Sequence, residues 1–456
     1  MVAWQLRPSM AGVLTTRRQR LAALVDGPAI FWSGRSIGRN YPDNLYPFRA
    51  NSHFLYFAGA PLENAAIRLE GGNLELFIDE PGSTHALWHG PTPSRSEIAQ
   101  WIGADSAYAL ADLEAHAAGA ATLPVQDAAT SIAQARLLER PVSIQTGRDL
   151  ALAEAVIALR LTHDEGAIEE LRRTAAVSVA AHKAGMQATR RARSEAEVRA
   201  AIESAFIAHQ MGTAYNSIVT VHGEVLHNEH YYNPLQPGDL LLVDAGAESE
   251  LGWASDITRT WPVSGRFSAS QRALYDVVLA AHDDAIALIK PGVEYRDVHL
   301  AACRTIAAGL VDLGILRGQA EDLVEADAHA LFFPHGVGHL IGLDVHDMED
   351  LGDLAGYAPG RSRSHRFGLG YLRLDRTLTT GMATTIEPGF YQVPAILDDP
   401  TNRERYRQMI DWERLEQFAD VRGIRIEDDV LVTSTGAEVL TADLPTQAEA
   451  IEDLVG

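Results

Sequence analysis

Four acids in this chain sit inside apolar strand-like runs. Asp244 ends Leu240-Leu241-Leu242-Val243, and Asp256 lies within Trp253-Ala254-Ser255-Asp256-Ile257-Thr258. Glu387 follows Thr384-Thr385-Ile386, and Glu427 follows Gly423-Ile424-Arg425-Ile426. A carboxylate in such a setting must be neutralised, hydrogen-bonded or bound to a cation. A single acid at a strand end is usually a turn former; four together point to a shared purpose. A histidine cluster adds a softer donor: His335, His339 and His346 lie in His335-Gly336-Val337-Gly338-His339-Leu340-Ile341-Gly342-Leu343-Asp344-Val345-His346. Four carboxylates and one imidazole form an oxygen-rich set. That suits two Mn²⁺-like ions better than a cysteine-rich structural zinc. The helical His-Glu-x-x-His motif is absent.

The elements that must position these groups are legible as a pattern. Asn216 to Val221 reads as a strand, Pro237-Gly238-Asp239 as a turn, and Leu240 to Val243 as a buried strand. Gly252 to Val263 reads as the return strand, which would bring Asp244 and Asp256 together. Residues 270–290 and 297–317 read as amphipathic helices, and strands recur at 382–391 and 423–433. The segment from Asp350 to Asp375 is Gly- and Arg-rich and reads as an insertion loop, with Arg361, Arg363 and Arg366 solvated. Upstream, Ala29 to Trp32 and Leu74 to Ile78 read as strands, and Ser96 to Trp101 and Ala111 to Ala120 as helices. A long helical region from Leu150 to His209 joins the two halves, with no Pro/Gly/Ser-rich linker.

At 456 residues, two domains are expected. The net charge of −23 would be repelled by nucleic acid, and no dense Lys/Arg run offsets it. Cys303 is the lone cysteine, so no internal disulfide can form, which suits a reducing, cytoplasmic compartment. In its apolar-periodic setting it reads as a core residue. No apolar run of about 18 residues appears, so neither a membrane span nor a signal peptide is expected.

From about residue 165 onward the chain resembles the pita-bread metallopeptidases, in the branch of aminopeptidase P and prolidase. The matching stretches are NSIVTVHGEVLHNEHYYN, GDLLLVDAGAE, GWASDITRTWPV, FFPHGVGHLIGLDVHD, TTIEPGFY and GIRIEDDV. Residues 48–90, notably FRANSHFLYFAGAP, resemble that branch's N-terminal domain. The resemblance implies an α/β (α+β) fold: an N-terminal creatinase-like domain over 1–158 and a pita-bread catalytic domain over 159–456. It implies that Asp244 chelates one metal, that Asp256 and Glu427 bridge both, and that His339 and Glu387 bind the other. The two ions would be Mn²⁺, with Zn²⁺ or Co²⁺ as alternatives, and a water or hydroxide between them would be the nucleophile. Glu387 would also shuttle the proton. His335, His346 and His227 would hold the substrate or stabilise the tetrahedral intermediate. Arg425 matches an arginine that orients a carboxylate. Asp244 and Asp256 are 12 residues apart, one more than is usual in the family, and the hairpin loop from Glu248 to Gly252 is expected to absorb the difference.

The activity implied is hydrolysis of the bond between an N-terminal residue and a following proline in short peptides. A prolidase is the alternative: Arg373 and Arg376, in Tyr371-Leu372-Arg373-Leu374-Asp375-Arg376, resemble an insertion whose arginine contacts a free proline carboxylate. The segment from Ile410 to Glu416 also resembles prolidases. A metal-free binding module or a creatinase-like hydrolase would lack the five ligands. In relatives the N-terminal domain packs in a homodimer or homotetramer, which makes His53, Trp88 and His89 candidates for reaching a site.

Overall fold

Every residue of Leu240–Asp244 is buried, and this uninterrupted apolar strand takes the central place that such burial requires. In this computed structural model, which describes residues 8–82 and 84–456, it lies between Thr258–Pro262 and Ile218–Thr220, antiparallel to both. A second sheet orders Ala383–Ile386, Asp428–Val432 and Ala437–Val439, and a ribbon pairs Gly389–Tyr391 with Gly423–Arg425. The segments expected as continuous strands at 382–391 and 423–433 therefore each change partners midway. One break falls at Glu387-Pro388, where proline has no N–H to give a ladder. The other falls at Ile426-Glu427. Two of the four candidate acids thus sit at joints between sheets.

The glycine-rich segment runs beside Ala383–Ile386. The N–H groups of Thr385 and Glu387 donate to the carbonyls of His339 and Val337, at 2.9 and 2.7 Å. Gly338 permits this approach, since a Cβ there would overlap the Thr385 carbonyl and the Tyr295 hydroxyl. The helices Ala269–Leu288 and Tyr295–Asp312 pack on each other. Cys303 is fully buried on the second of them.

In the N-terminal part the strands are Ala29–Trp32, Ala66–Glu70, Asn73–Phe77, Ser106–Tyr108 and Ala121–Thr122. They form a mixed sheet in which Ala66–Glu70 lies between Ala29–Trp32 and Asn73–Phe77. Its core gathers Ile30, Trp32, Ala66, Phe77, Leu113 and Ala117. The helix Arg95–Ile102 starts on a Ser94/Glu97 capping box. The helix expected over 111–120 is instead a 3-10 turn, Leu110–Asp112, and one α turn, Leu113–His116; Gly119 follows at φ +72°. The long helical region is three helices, Gly147–Arg160, Glu165–Thr189 and Glu195–Ala208.

By its internal contacts the chain forms two units: residues up to Ile168 together with Glu250–Gly252, and Glu169–Ser249 together with Trp253–Gly456. The division falls inside the helix Glu165–Thr189, whereas the sequence reading put the border at 158/159. Among the described residues no helix is long and apolar enough to cross a membrane.

Candidate metal centre

The first two acids come from one hairpin. Asp244 faces Thr258. Beyond that pair, Ala245 N–H donates to Ile257 at 3.0 Å, Ser255 N–H to Ala247 at 3.0 Å and Ser249 N–H to Trp253 at 2.8 Å. Nothing bulges out between the acids, so the longer spacing is taken up at the tip, Glu250–Gly252, where Gly252 adopts φ +86°. Asp256 precedes Thr258 by two and so shares a face with Asp244. Opposite it, Gly246 leaves no room for a Cβ, which would overlap the Ser255 carbonyl.

Four acids and one histidine meet here. Asp244, Asp256, Glu427 and His339 are all buried. One donor atom each from Asp256, His339 and Glu427 lies within 4.8 Å of the others. His339 Nε2 is 3.5 Å from Asp256 Oδ2 and 3.6 Å from Glu387 Oε1. Its Nδ1–H donates to the Leu340 carbonyl at 2.9 Å, which leaves the Nε2 lone pair aimed at the acids.

Around them stands a frame of donors. Arg425 gives Nη2 to Asp244 at 2.6 Å, Nε to Thr258 Oγ1 at 3.0 Å and Nη1 to Tyr391 Oη at 3.0 Å. Thr258 Oγ1 donates to Glu427 at 2.6 Å. Asp429 accepts from Asp256 N–H at 3.1 Å. Arg259, fully buried, donates to Asp428 at 2.8 Å and to the Glu427 carbonyl at 2.6 Å, tying the Asp256 hairpin to the Glu427 strand.

The electrostatics are those of acids short of positive charge. Burial, then the charge of Asp244, raises Asp256 well above the usual carboxylate range. Burial and the charge of Asp256 do the same to Glu427. Burial pushes Glu387 up to about 7 and Asp429 to about 8. Burial also drives His339 well down, keeping it neutral and able to donate its lone pair. Among the described residues Arg425 is the only guanidinium paired with any of the four acids. Divalent cations would supply the missing charge, and an oxygen-rich donor set with one neutral imidazole fits them.

These groups line a cavity of about 610 Å³, which His227, His335, His346, Arg373 and Arg425 also face. His335 gives Nδ1–H to the Gly336 carbonyl and takes the Tyr391 hydroxyl on Nε2, both at 2.8 Å. His346 packs against His339, with ring centroids 4.1 Å apart and the planes tilted by 55°. Arg376 is not brought to the cavity. Its guanidinium caps the carbonyls of Ala355 and Leu354, at 2.6 and 2.7 Å. The insertion is an exposed loop at Arg361, Arg363 and Arg366, as expected, and each of these arginines makes an ion pair there: Arg361 with Asp375 at 2.9 Å, Arg363 with Asp353 at 2.6 Å and Arg366 with Asp327 at 2.9 Å.

Sequence reasoning missed Tyr215, whose hydroxyl sits within hydrogen-bond distance of both Asp244, at 2.5 Å, and Asp256, with its one proton to give between them. It also missed Tyr391 and Phe367. The single available signal was for Tyr391, which lies within the TTIEPGFY stretch. In the N-terminal unit His53 is buried, with Arg160 Nη1 at 2.9 Å from its Nδ1. Trp88 and His89 lie exposed on the short helix His85–His89.

The sequence profile of metallopeptidase family M24 matches residues 169–434, and that of the aminopeptidase P N-terminal domain matches residues 14–124. The chain belongs to metallopeptidase family M24. A probable Xaa-Pro aminopeptidase of Verticillium alfalfae is 33% identical over 422 residues, covering 91% of this chain and 89% of that protein. Among solved M24 structures, aminopeptidase PepP of Pseudomonas aeruginosa superposes with TM-score 0.79 at 30% identity, covering 98% of both chains. Proline aminopeptidase P II of Yersinia pestis gives TM-score 0.80 at 31% identity over 98% of this chain and 99% of that one. The architecture is therefore a mixed α/β N-terminal domain followed by an M24 pita-bread domain, and family membership implies divalent metal ions.

Proposed function

We propose that the protein is a metal-dependent Xaa-Pro aminopeptidase, releasing the N-terminal residue from short peptides with proline second. The observation that carries this is that Asp244, Asp256, His339, Glu387 and Glu427 all line a single cavity of about 610 Å³. In this reading Asp244, Asp256, His339, Glu387 and Glu427 would together hold two divalent ions. The ions, Mn²⁺ by preference, supply Lewis acidity and acidify water at the site.

The chain's own residues do the rest. Glu387, part-buried at the cavity and beside His339, accepts the proton of the attacking water at its carboxylate and returns it to the departing prolyl nitrogen. Arg425 and Tyr215 hold the carboxylates of Asp244 and Asp256 in place. His227, His335 and His346 flank the scissile bond, and His335 is fixed for this by Tyr391. A homodimer or homotetramer in the cytoplasm is part of the proposal, supported by the resemblance of the N-terminal domain and by the single sealed thiol.

The test is chelation followed by readdition of Mn²⁺, with Xaa-Pro-Xaa tripeptides as substrate and elemental analysis alongside. Hydrolysis should vanish and return with about two ions bound per chain. Full hydrolysis by the chelated protein would overturn the reading.

A further inference from the structure

Three guanidinium groups face the cavity, those of Arg363, Arg373 and Arg425. Each is already paired with a carboxylate: Arg363 with Asp353 at 2.6 Å, Arg373 with Glu349 at 2.5 Å and Arg425 with Asp244 at 2.6 Å. Glu349 differs from the other two partners in its second contact, with Oε2 3.0 Å from His346 Nδ1. Its carboxylate therefore spans two groups that line the substrate cavity. We infer that Glu349 is a specificity-determining residue: it occupies Arg373 as an internal substitute for a substrate carboxylate, so that the site favours longer peptides over Xaa-Pro dipeptides.

The argument is one of competition. In a dipeptide the proline ends in a free carboxylate, which needs a cation. To reach Arg373 it must displace Glu349, exchanging one carboxylate for another and leaving Glu349 as a second negative charge beside it, held by His346 alone. In a tripeptide the same proline carries an amide, which is neutral and has no such contest. The sequence pattern around Arg373 resembles a dipeptidase, and Glu349 cancels the charge that such an enzyme would use. Both side chains of this pair are more than a third exposed, at 38% and 40%, so the effect is moderated by solvent.

This deepens the Xaa-Pro aminopeptidase reading and rests on it. The test is Glu349→Gln, which keeps the length of the side chain and an oxygen to accept from His346 while removing the charge. Mn²⁺-loaded wild type and variant are compared on a matched Xaa-Pro dipeptide and Xaa-Pro-Xaa tripeptide. The expected result is a rise of roughly three- to tenfold in kcat/KM for the dipeptide, carried by KM, with the tripeptide within about twofold of wild type. Adding Arg373→Met to the variant should erase the gain. An unchanged dipeptide-to-tripeptide ratio, or an equal fall in kcat on both, would make Glu349 a structural partner of His346 and end the proposal. Absence of Xaa-Pro hydrolysis in the wild type would instead overturn the underlying functional reading.

Discussion

Protons and cations compete for the same oxygens at this site. A carboxyl whose folded pKa is raised contributes stability that is complete below its unfolded pKa, about 4.3 for glutamate, and is lost as pH rises through the folded value. For Glu387 that loss runs up to about 7, and Asp256 and Glu427 are shifted in the same direction. Metal-free protein should therefore lose thermal stability between pH 5 and 8. Over the same range Mn²⁺ affinity should rise, with protons released on binding. Calorimetric titration in two buffers of different ionisation enthalpy checks this; affinity that is flat or falls with pH would contradict the crowded-acid account. The acids were legible because each interrupts an apolar run. Tyr215 was not, since it lies 29 residues from Asp244 in no apolar pattern and acquires its meaning through the fold.

At the scale of elements, two of the ligand positions, Glu387 and Glu427, are joints rather than strand interiors. Periodicity read 382–391 and 423–433 as continuous strands, because local pattern does not reveal where a strand exchanges one partner for another. The arginines of residues 350–375 are solvent-exposed, as read, but the partner of Arg366 was hidden for a similar reason: Asp327 lies far away along the chain. The clearest brace between elements is Arg259, which joins the Asp256 hairpin to Asp428 in full burial. Arg259→Met should destabilise by about 3–5 kcal/mol, because it leaves the Asp428 charge buried with less compensation. Urea unfolding should show a lower midpoint at unchanged slope, partly recovered by Asp428→Asn. A change below about 1 kcal/mol would mean that the brace is redundant.

At the scale of the whole molecule, the two units have separate cores, and all five candidate ligands belong to one of them. Calorimetry should resolve two unfolding transitions, of which Mn²⁺ raises only one. The expected gain is about 2.7 kcal/mol at a free concentration a hundred times Kd. Equal shifts in both transitions would show that the units unfold as one. The general architecture was readable from the alternation of strands and helices, and so was the helical character of the connection, since no Pro/Gly/Ser-rich stretch interrupts it. The insertion that carries Phe367, Tyr371 and Arg373 to the cavity is fastened by Arg361, Arg363 and Arg366, whose side chains are 34–42% exposed. Ionic strength reaches such fastenings readily: the screening distance shrinks from about 8 Å in physiological saline to about 3 Å at 1 M. A brine-soaked enzyme would thus relax its grip on peptides well before its ion-binding core came apart.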